Sequence, residues 1–209
     1  INTIKGKREE VIEVLNQNGF KIRRVPWYKD AFVLLNKSKR ELTDLDIYNE
    51  GKIYIQSLAS MIPSLVLDPQ PGEKILDLTA APGSKTSQIA ALMGCVGELV
   101  ANDNNKIRFF KLKHNMECLN VIPTARNDSW KFTLRMEYGS SLCREFPGYF
   151  NRVLLDAPCS AEARFIDGEP KTFGYWKEQK IKEMAHKQWG LLLAAWSALK
   201  PGGVLVYST

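Results

Sequence analysis

The chain has 209 residues, with 29 Lys and Arg against 23 Asp and Glu, a formal charge of +6 and an isoelectric point near 9.1. That length suits one domain, or one domain with a smaller module. With 44% apolar and 25% charged residues the composition is that of a globular protein, which disfavours a disordered, collagenous or coiled-coil chain. No apolar run reaches the roughly 18 residues that span a bilayer, so no membrane partner is expected, and Ile1-Asn2-Thr3-Ile4-Lys5 lacks signal-peptide architecture.

Cysteines stand at 95, 118, 143 and 159, with no CxxC or CxxxC pair, and the two His form no HExxH. Neither a zinc site nor a redox pair is expected, so the metal expectation is none. These cysteines do not read as a disulfide framework, which makes a reducing cytoplasm the default compartment. A monomer is the expectation for oligomeric state. The chain stops at Val204-Leu205-Val206-Tyr207-Ser208-Thr209, inside an expected buried strand, and is read as a fragment.

Residues 1–50 read as a small α+β module. Lys7 to Asn18 carries Val11, Ile12, Val14 and Leu15 among charges, as a short amphipathic helix would, and Asn18-Gly19 stops it. Phe20 to Val25 and Ala31 to Leu35 read as strands. Lys5, Lys7, Arg8, Lys21, Arg23, Arg24 and Lys29 cluster here, with Trp27 and Tyr28 between them. Such a face is either solvated or made for nucleic acid, where cations meet phosphates and rings stack on bases.

Residues 51–209 read as a second domain. Ile53 to Leu67 is apolar and predicted helical up to Pro63. Strands are expected at Lys74–Leu78, Glu98–Asn102, weakly at Val121-Ile122, at Arg152–Asp156 and at Val204–Tyr207. Helices are expected at Ser84–Met93, Asn105–Leu119 and Gln179–Leu199, the last closed by Lys200-Pro201-Gly202-Gly203. Alternating β and α elements with continuously apolar strands predict an α/β fold, a parallel sheet covered on both faces.

The stretch Asp77-Leu78-Thr79-Ala80-Ala81-Pro82-Gly83-Ser84-Lys85-Thr86 joins a strand to a helix, where open α/β sheets bind ligands. Small residues let backbone approach a ligand, and Gly83 tolerates a sharp turn. A P-loop would need Gly at 79 and 84, and no GxGxxG occurs. An ordinary tight turn accounts for the loop alone. Asp103, 20 residues after Gly83 and at the next strand end, adds the acid that accepts hydrogen bonds from ribose hydroxyls. Asp128 and Asp156 also fall near expected strand ends, which favours an adenosine-type ligand. A second constellation, Asp156-Ala157-Pro158-Cys159-Ser160, holds a carboxylate and a thiol three positions apart at a strand exit. Cys95, Cys118 and Cys143 read as small hydrophobes, whereas Cys159 lies on a loop placed to carry chemistry. His114 and His186 read as incidental helix residues.

These motifs resemble the Sun-type RNA (cytosine-5) methyltransferases, which use S-adenosylmethionine. Thr79-Ala80-Ala81-Pro82-Gly83-Ser84-Lys85-Thr86 is similar to that family's cofactor loop, and Asp156-Ala157-Pro158-Cys159-Ser160 to its active-site strand end. Asn2-Thr3 with Val25-Pro26-Trp27 resembles its N-terminal RNA-contacting module, Gly51 to Gln56 the lead into its catalytic domain, and Lys200 to Thr209 the run into its nucleophile. The resemblance implies a Rossmann-like class I methyltransferase domain behind an RNA-contacting module. Thr79 to Lys85 would cradle the cofactor, Asp103 would bind its ribose, Asp128 would sit near the adenine, and Asp156 would face both cofactor and base. Lys85 and Asp156 would orient the cytosine, and Cys159 would assist product release. The nucleophile would be a Cys directly after Thr209, so residues 1–209 alone are expected to be inactive. The RNA would be ribosomal or, alternatively, transfer RNA.

The chemistry calls for such parts. Carbon 5 of cytosine is a poor nucleophile until a thiolate adds at carbon 6, a covalent strategy that splits one hard step into easier ones. A carboxyl group near the ring nitrogen supports that addition, and the base must leave any stack to be reached. Lys106 to Arg135 carries seven Lys and Arg against two Asp and Glu, a candidate RNA surface. Two departures stand out: Thr79 where the family often has Cys, and Ser160-Ala161-Glu162-Ala163-Arg164-Phe165 where it is Gly-rich. Cys159 argues against an exocyclic-amine or protein methyltransferase, and the absence of HxE and PCxxC excludes a zinc deaminase. An RNA-binding factor with a degenerate catalytic domain is the alternative.

Overall fold

The computed structural model describes residues 1–124, 127–174 and 176–209. The amino-terminal elements are α1 (Arg8–Gln17), the antiparallel pair β1 (Ile22–Val25) and β2 (Tyr28–Leu34), and the short helices α2 (Lys39–Thr43) and α3 (Asp46–Asn49). Val11 and Leu15, four apart, bury one stripe of α1 against Phe20, Ile47 and Ile53. Ser38 and Glu41 form a reciprocal capping box that starts α2.

Then come α4 (Leu58–Leu67), β3 (Lys74–Asp77), α5 (Ser84–Leu92), β4 (Gly97–Asn102), α6 (Lys106–Cys118), β5 (Trp130–Arg135), α7 (Gly139–Glu145), β6 (Phe150–Asp156), α8 (Gln179–Ala198) and β7 (Leu199–Ser208). The five strands form one parallel sheet in the order β5-β4-β3-β6-β7. From β3 the chain winds outward through β4 to β5, then returns to lay β6 on the other side of β3. The strand order therefore reverses between β3 and β6.

Period-two alternation sorts the strand side chains. Ile75, Leu99, Ala101 and Leu154 face Leu67, Ile89, Leu112 and Met116 of α4, α5 and α6. Leu76, Val100, Val153 and Leu155 face Leu142 of α7 and Ala195 and Ala198 of α8. With helices on both faces the strands are apolar throughout, as predicted for an α/β sheet.

Four local expectations need correction. First, α4 runs through Pro63 to Leu67. An internal proline costs about 3 kcal/mol, but burial of Met61 and Leu67 returns roughly 1.5–3 kcal/mol each. Second, Val121-Ile122 is no strand: Val121 N–H bonds to Met116 O in the turn that ends α6, and its carbonyl accepts from the Trp130 indole at 2.8 Å. Third, β5 begins only at Trp130, and helix α7 follows it unforeseen. Fourth, Lys200-Pro201-Gly202-Gly203 lies within β7, because a register shift pairs Leu199 with Phe150 and then Val204 with Arg152.

The amino-terminal elements are fastened to the α4–α5–α6 face. Buried Asn2 donates its side-chain amide to Gly51 O at 2.8 Å and Leu119 O at 3.0 Å. Gly51 has φ +72°, and a Cβ there would lie 2.2 Å from Cys118 O, so only glycine fits this close approach. Val25 and Ala31 of the hairpin pack on Met61 of α4. Among the described residues no helix is long and apolar enough to cross a membrane.

Candidate active site

The carboxyl ends of β3, β4 and β6 meet at the point where strand order reverses, the usual ligand crevice of an open parallel sheet. The loop Leu78–Gly83 leaves β3 there. Its shape is set by backbone bonds: Ala80 N–H to Asn102 O at 2.7 Å and Gly83 N–H to Ala80 O at 2.8 Å. Asn102 also donates its side-chain amide to Leu78 O. From outside, Arg108 donates to Ala81 O and Asn115 to Pro82 O, each at 2.7 Å. Gly83 precedes α5 at φ +105°, and a Cβ there would meet Met116 Cε at 2.6 Å and Leu112 Cδ1 at 2.9 Å. The loop is thus pressed onto α6.

Lys85, on the first turn of α5, reaches the end of β6. Its Nζ lies 2.6 Å from Asp156 Oδ2 and donates to Ser60 Oγ of α4 at 3.4 Å. The other Asp156 oxygen accepts from Ser208 Oγ of β7 at 2.7 Å, and the Asp156 carbonyl accepts from Thr79 Oγ1 at 2.7 Å. Side chains from α5 and β7 therefore converge on the Asp156 carboxylate of β6, with Ser60 of α4 behind Lys85 and Thr79 of the β3 loop on the Asp156 backbone carbonyl. Thr79 ties the loop to β6 through its hydroxyl.

Asp103 follows β4 on the same edge. Its side chain is 3% exposed; Oδ1 accepts from Asn105 N–H at 3.0 Å, and Oδ2 lies 3.1 Å from Arg108 Nη2. Beneath the loop Asp77 is fully buried and accepts from Thr86 Oγ1 at 2.6 Å. Burial pushes its carboxyl up to about 7, against the pull of the Thr86 hydrogen bond and the Lys85 ammonium, while Asp156 and Asp103 push the same way as burial. The crevice thus holds two carboxylates, Asp103 and Asp156, each beside a cation, with Asp77 buried beneath them.

Cys159 lies exposed just past β6, three residues from Asp156. Its loop is held by Gln188 of α8, which donates to Pro158 O at 2.8 Å. Farther on, Ser160 Oγ donates to Glu162 at 2.5 Å, and the Trp176 indole donates to the same oxygen at 3.1 Å. Ala161 holds φ +66°, a left-handed conformation that glycine adopts more readily than alanine. Cys95, Cys118 and Cys143 lie elsewhere, and among the described residues no His, Cys, Asp and Glu group could hold a metal.

The expectation for Asp128 fails. Gly97 N–H bonds to Ser129 O, and Gly97 pairs with Trp130, so Asp128 precedes β5 at the amino-terminal edge of the sheet. It stands across the sheet from Asp103. The carboxyl exit of β5 carries Glu137 and Tyr138 instead. Glu137 is paired with Arg135 and donates its backbone N–H to Asn102 Oδ1, and Tyr138 is 72% exposed. The alternation Trp-Lys-Phe-Thr-Leu-Arg was the signal for this strand. Ser60, Arg108 and Ser208 carried no such signal, because each reaches the site from a separate element.

Along Lys106 to Arg135 the positive charge is largely spent internally: Arg108 pairs with Asp103, Lys113 with Glu117, Lys131 with Glu98 and Arg135 with Glu137 and Glu145. Arg126 lies outside the described residues.

With this geometry in hand, the likenesses to known proteins are specific. A family model described as 16S rRNA methyltransferase RsmB/F matches residues 64–209. The chain is 38% identical over its whole length to "Ribosomal RNA small subunit methyltransferase F" of Pectobacterium carotovorum, of which it covers 42%. It is 39% identical, again over its whole length, to "tRNA (cytosine(49)-C(5))-methyltransferase" of Pyrococcus abyssi, of which it covers 64%. A solved structure of a methyltransferase homologue from Pyrococcus horikoshii aligns with 99% of the chain at 33% identity and a TM-score of 0.79, the chain covering 62% of it. The chain thus spans less than two thirds of the length of these relatives. It belongs to the RsmB/F family of 16S rRNA methyltransferases.

Proposed function

We propose that the chain holds the cofactor and target-base sites of an S-adenosylmethionine-dependent RNA methyltransferase that forms 5-methylcytosine. The observation that carries this reading is the Lys85–Asp156 pair, 2.6 Å apart at the reversal of strand order, beside the Gly83 loop and Asp103. Ribosomal RNA is the substrate suggested by the name of the Pectobacterium relative, and transfer RNA is the second reading, after that of the Pyrococcus relative. The likeness of the whole chain to both favours an enzyme over a degenerate binding factor. We place it in the cytoplasm as a monomer that needs no metal. Four free cysteines suit a reducing compartment.

The residues fit S-adenosylmethionine. A cation with ribose hydroxyls suits the Asp103 and Asp156 carboxylates, and the missing Cβ of Gly83 lets the loop that borders them pack tightly against Leu112 and Met116 of α6. Thr79, Ala80, Ala81, Pro82, Gly83 and Ser84 would cradle it, and Asp103, already buried and oriented, would accept from the ribose hydroxyls. When bound, the cofactor supplies an electrophilic methyl group. The chain's own work is on the base. Asp156, fixed by Lys85 and Ser208, accepts a hydrogen bond from the cytosine ring edge or shares a proton at its nitrogen as carbon 6 is attacked. Lys85 donates to the base carbonyl and steadies charge there. Cys159, exposed beside them, is placed to assist release of the product. The family resemblance puts the attacking cysteine directly after Thr209.

Bisulfite sequencing of RNA from cells with and without the gene tests this reading. One protected cytosine in ribosomal RNA should lose protection on deletion and regain it with wild-type gene, but not with Lys85→Ala. Loss in transfer RNA alone would favour the second substrate. Unchanged protection throughout both RNAs would contradict the reading.

A further inference from the structure

The aromatic and basic residues of the amino-terminal hairpin take no part in the site above. Pro26 and Trp27 form the tip between β1 and β2, where Val25 pairs with Tyr28. Under the tip runs a groove of about 490 Å³, walled by Arg24, Pro26, Trp27 and Lys29 and floored by Leu92 at the end of α5. That volume lies in the range of small-molecule sites. Trp27 is 48% exposed, and its indole N–H has no partner among the described residues. Arg24 and Lys29 likewise make no ion pair or side-chain hydrogen bond among the described residues. No acidic side chain lines the groove. A second groove of about 330 Å³ adjoins it past Lys29, sharing Tyr28, Lys29 and Leu92, and is of mixed charge, with Glu9 and Asp30 beside Lys7 and Arg8.

A half-exposed indole between two unpaired cations, over an apolar floor, is the set of groups that holds a nucleotide. The ring stacks on a base face, the cations take the phosphates on either side, and the lining of this groove has no carboxylate to repel them. Packing of Val25 and Ala31 on Met61 fixes the groove to the catalytic layer. Leu92 lies about 12 Å along α5 from Ser84, at 1.5 Å per residue. The groove therefore cannot hold the reacting base.

We propose that this groove is a stacking subsite for one unpaired nucleotide of the RNA, outside the target cytosine, with Trp27 as the platform and Arg24 and Lys29 as phosphate contacts. The proposal rests on RNA as substrate and adds where a flanking nucleotide is held. It is sequence-tolerant, because every base has a π-face.

Fluorescence anisotropy with a labelled, unstructured single-stranded RNA tests it, alongside an RNA duplex and calorimetry with S-adenosylmethionine. Trp27→Ala should bind the single strand roughly 5- to 100-fold more weakly, and Trp27→Phe should recover most of that loss. Duplex affinity and cofactor affinity should be unchanged in both variants. Arg24→Ala and Lys29→Ala should each flatten the salt dependence by close to one phosphate contact. Single-strand affinity within twofold of wild type in Trp27→Ala, with cofactor binding intact, would overturn the subsite and leave the methyltransferase reading standing. So would polyglutamate displacing the RNA equally well from wild type and Trp27→Ala, which would make the face a plain cation patch. Wild-type protein that binds cofactor but no RNA would overturn both the subsite and the RNA reading.

Discussion

Asp77 shows how the site loads its cost onto one buried group. It sits below the loop, fully enclosed, with Thr86 as its hydrogen-bond partner and two further carboxylates nearby. Its carboxyl holds its proton up to about pH 7, against an ordinary value of 3.8. A carboxylate raised in the fold contributes most at low pH, where folded and unfolded chains both carry the proton. Between about 4 and 7 the unfolded chain releases the proton first, so stability falls as pH rises through that window. Asp77→Asn keeps a partner for Thr86 and has nothing to ionise. Urea denaturation should show its stability relative to wild type more favourable at pH 8 than at pH 5. An equal difference at both pH values would show that Asp77 does not carry this pH dependence. None of this was legible from the chain, where Asp77 is only the last residue of a strand. Asp156 and Asp103 were legible because strand ends and loop spacing place them on one edge without side-chain detail, whereas Lys85 stood out only through the family resemblance. Asp128 was misplaced by a register error one level up.

That error belongs to the elements. Val121-Ile122 is apolar and β-branched, which mimics a strand start, yet it closes α6 and is buried at the core edge. Reading β5 nine residues early put Asp128 after the strand instead of before it. The remaining strands and long helices were readable because two-sided burial makes strands continuously apolar and caps mark helix ends. α2, α3 and α7 were not, since helices of four to seven residues show too little periodicity. The joints between elements rest on side chains that no pattern exposes. Arg152 of β6 donates to Glu73 Oε2 and to Leu67 O, each at 2.6 Å, tying β6 to the end of α4 and the start of β3. The two charged side chains are 15% and 20% exposed. Arg152→Ala should lower stability by about 1–3 kcal/mol, because the Leu67 carbonyl loses its Arg152 donor and the half-buried Glu73 keeps only the Gln70 N–H. Arg152→Lys should restore less than half, lacking the forked donor. Urea denaturation of both variants measures this, and a loss below about 0.5 kcal/mol for the alanine variant would place the pair with ordinary surface bridges.

At the scale of the whole molecule, one sheet edge gathers the chemistry and one face of the sheet carries the amino-terminal elements. The reversal of strand order parts β3 from β6, and the loop, Lys85, Asp103 and Asp156 fill the gap it opens. The hairpin groove lies on the same α4–α5–α6 face, at the far end of α5. The account depends on the crevice holding an adenosylated cofactor by its sugar. Isothermal calorimetry of S-adenosylmethionine binding, on wild type and Asp103→Ala, measures this most directly. Wild type should bind one equivalent, and the variant should bind about 10- to 100-fold more weakly, the worth of hydrogen bonds to a buried charge. Correctly folded wild type that gives no binding heat, or an Asp103→Ala variant with wild-type affinity, would contradict it.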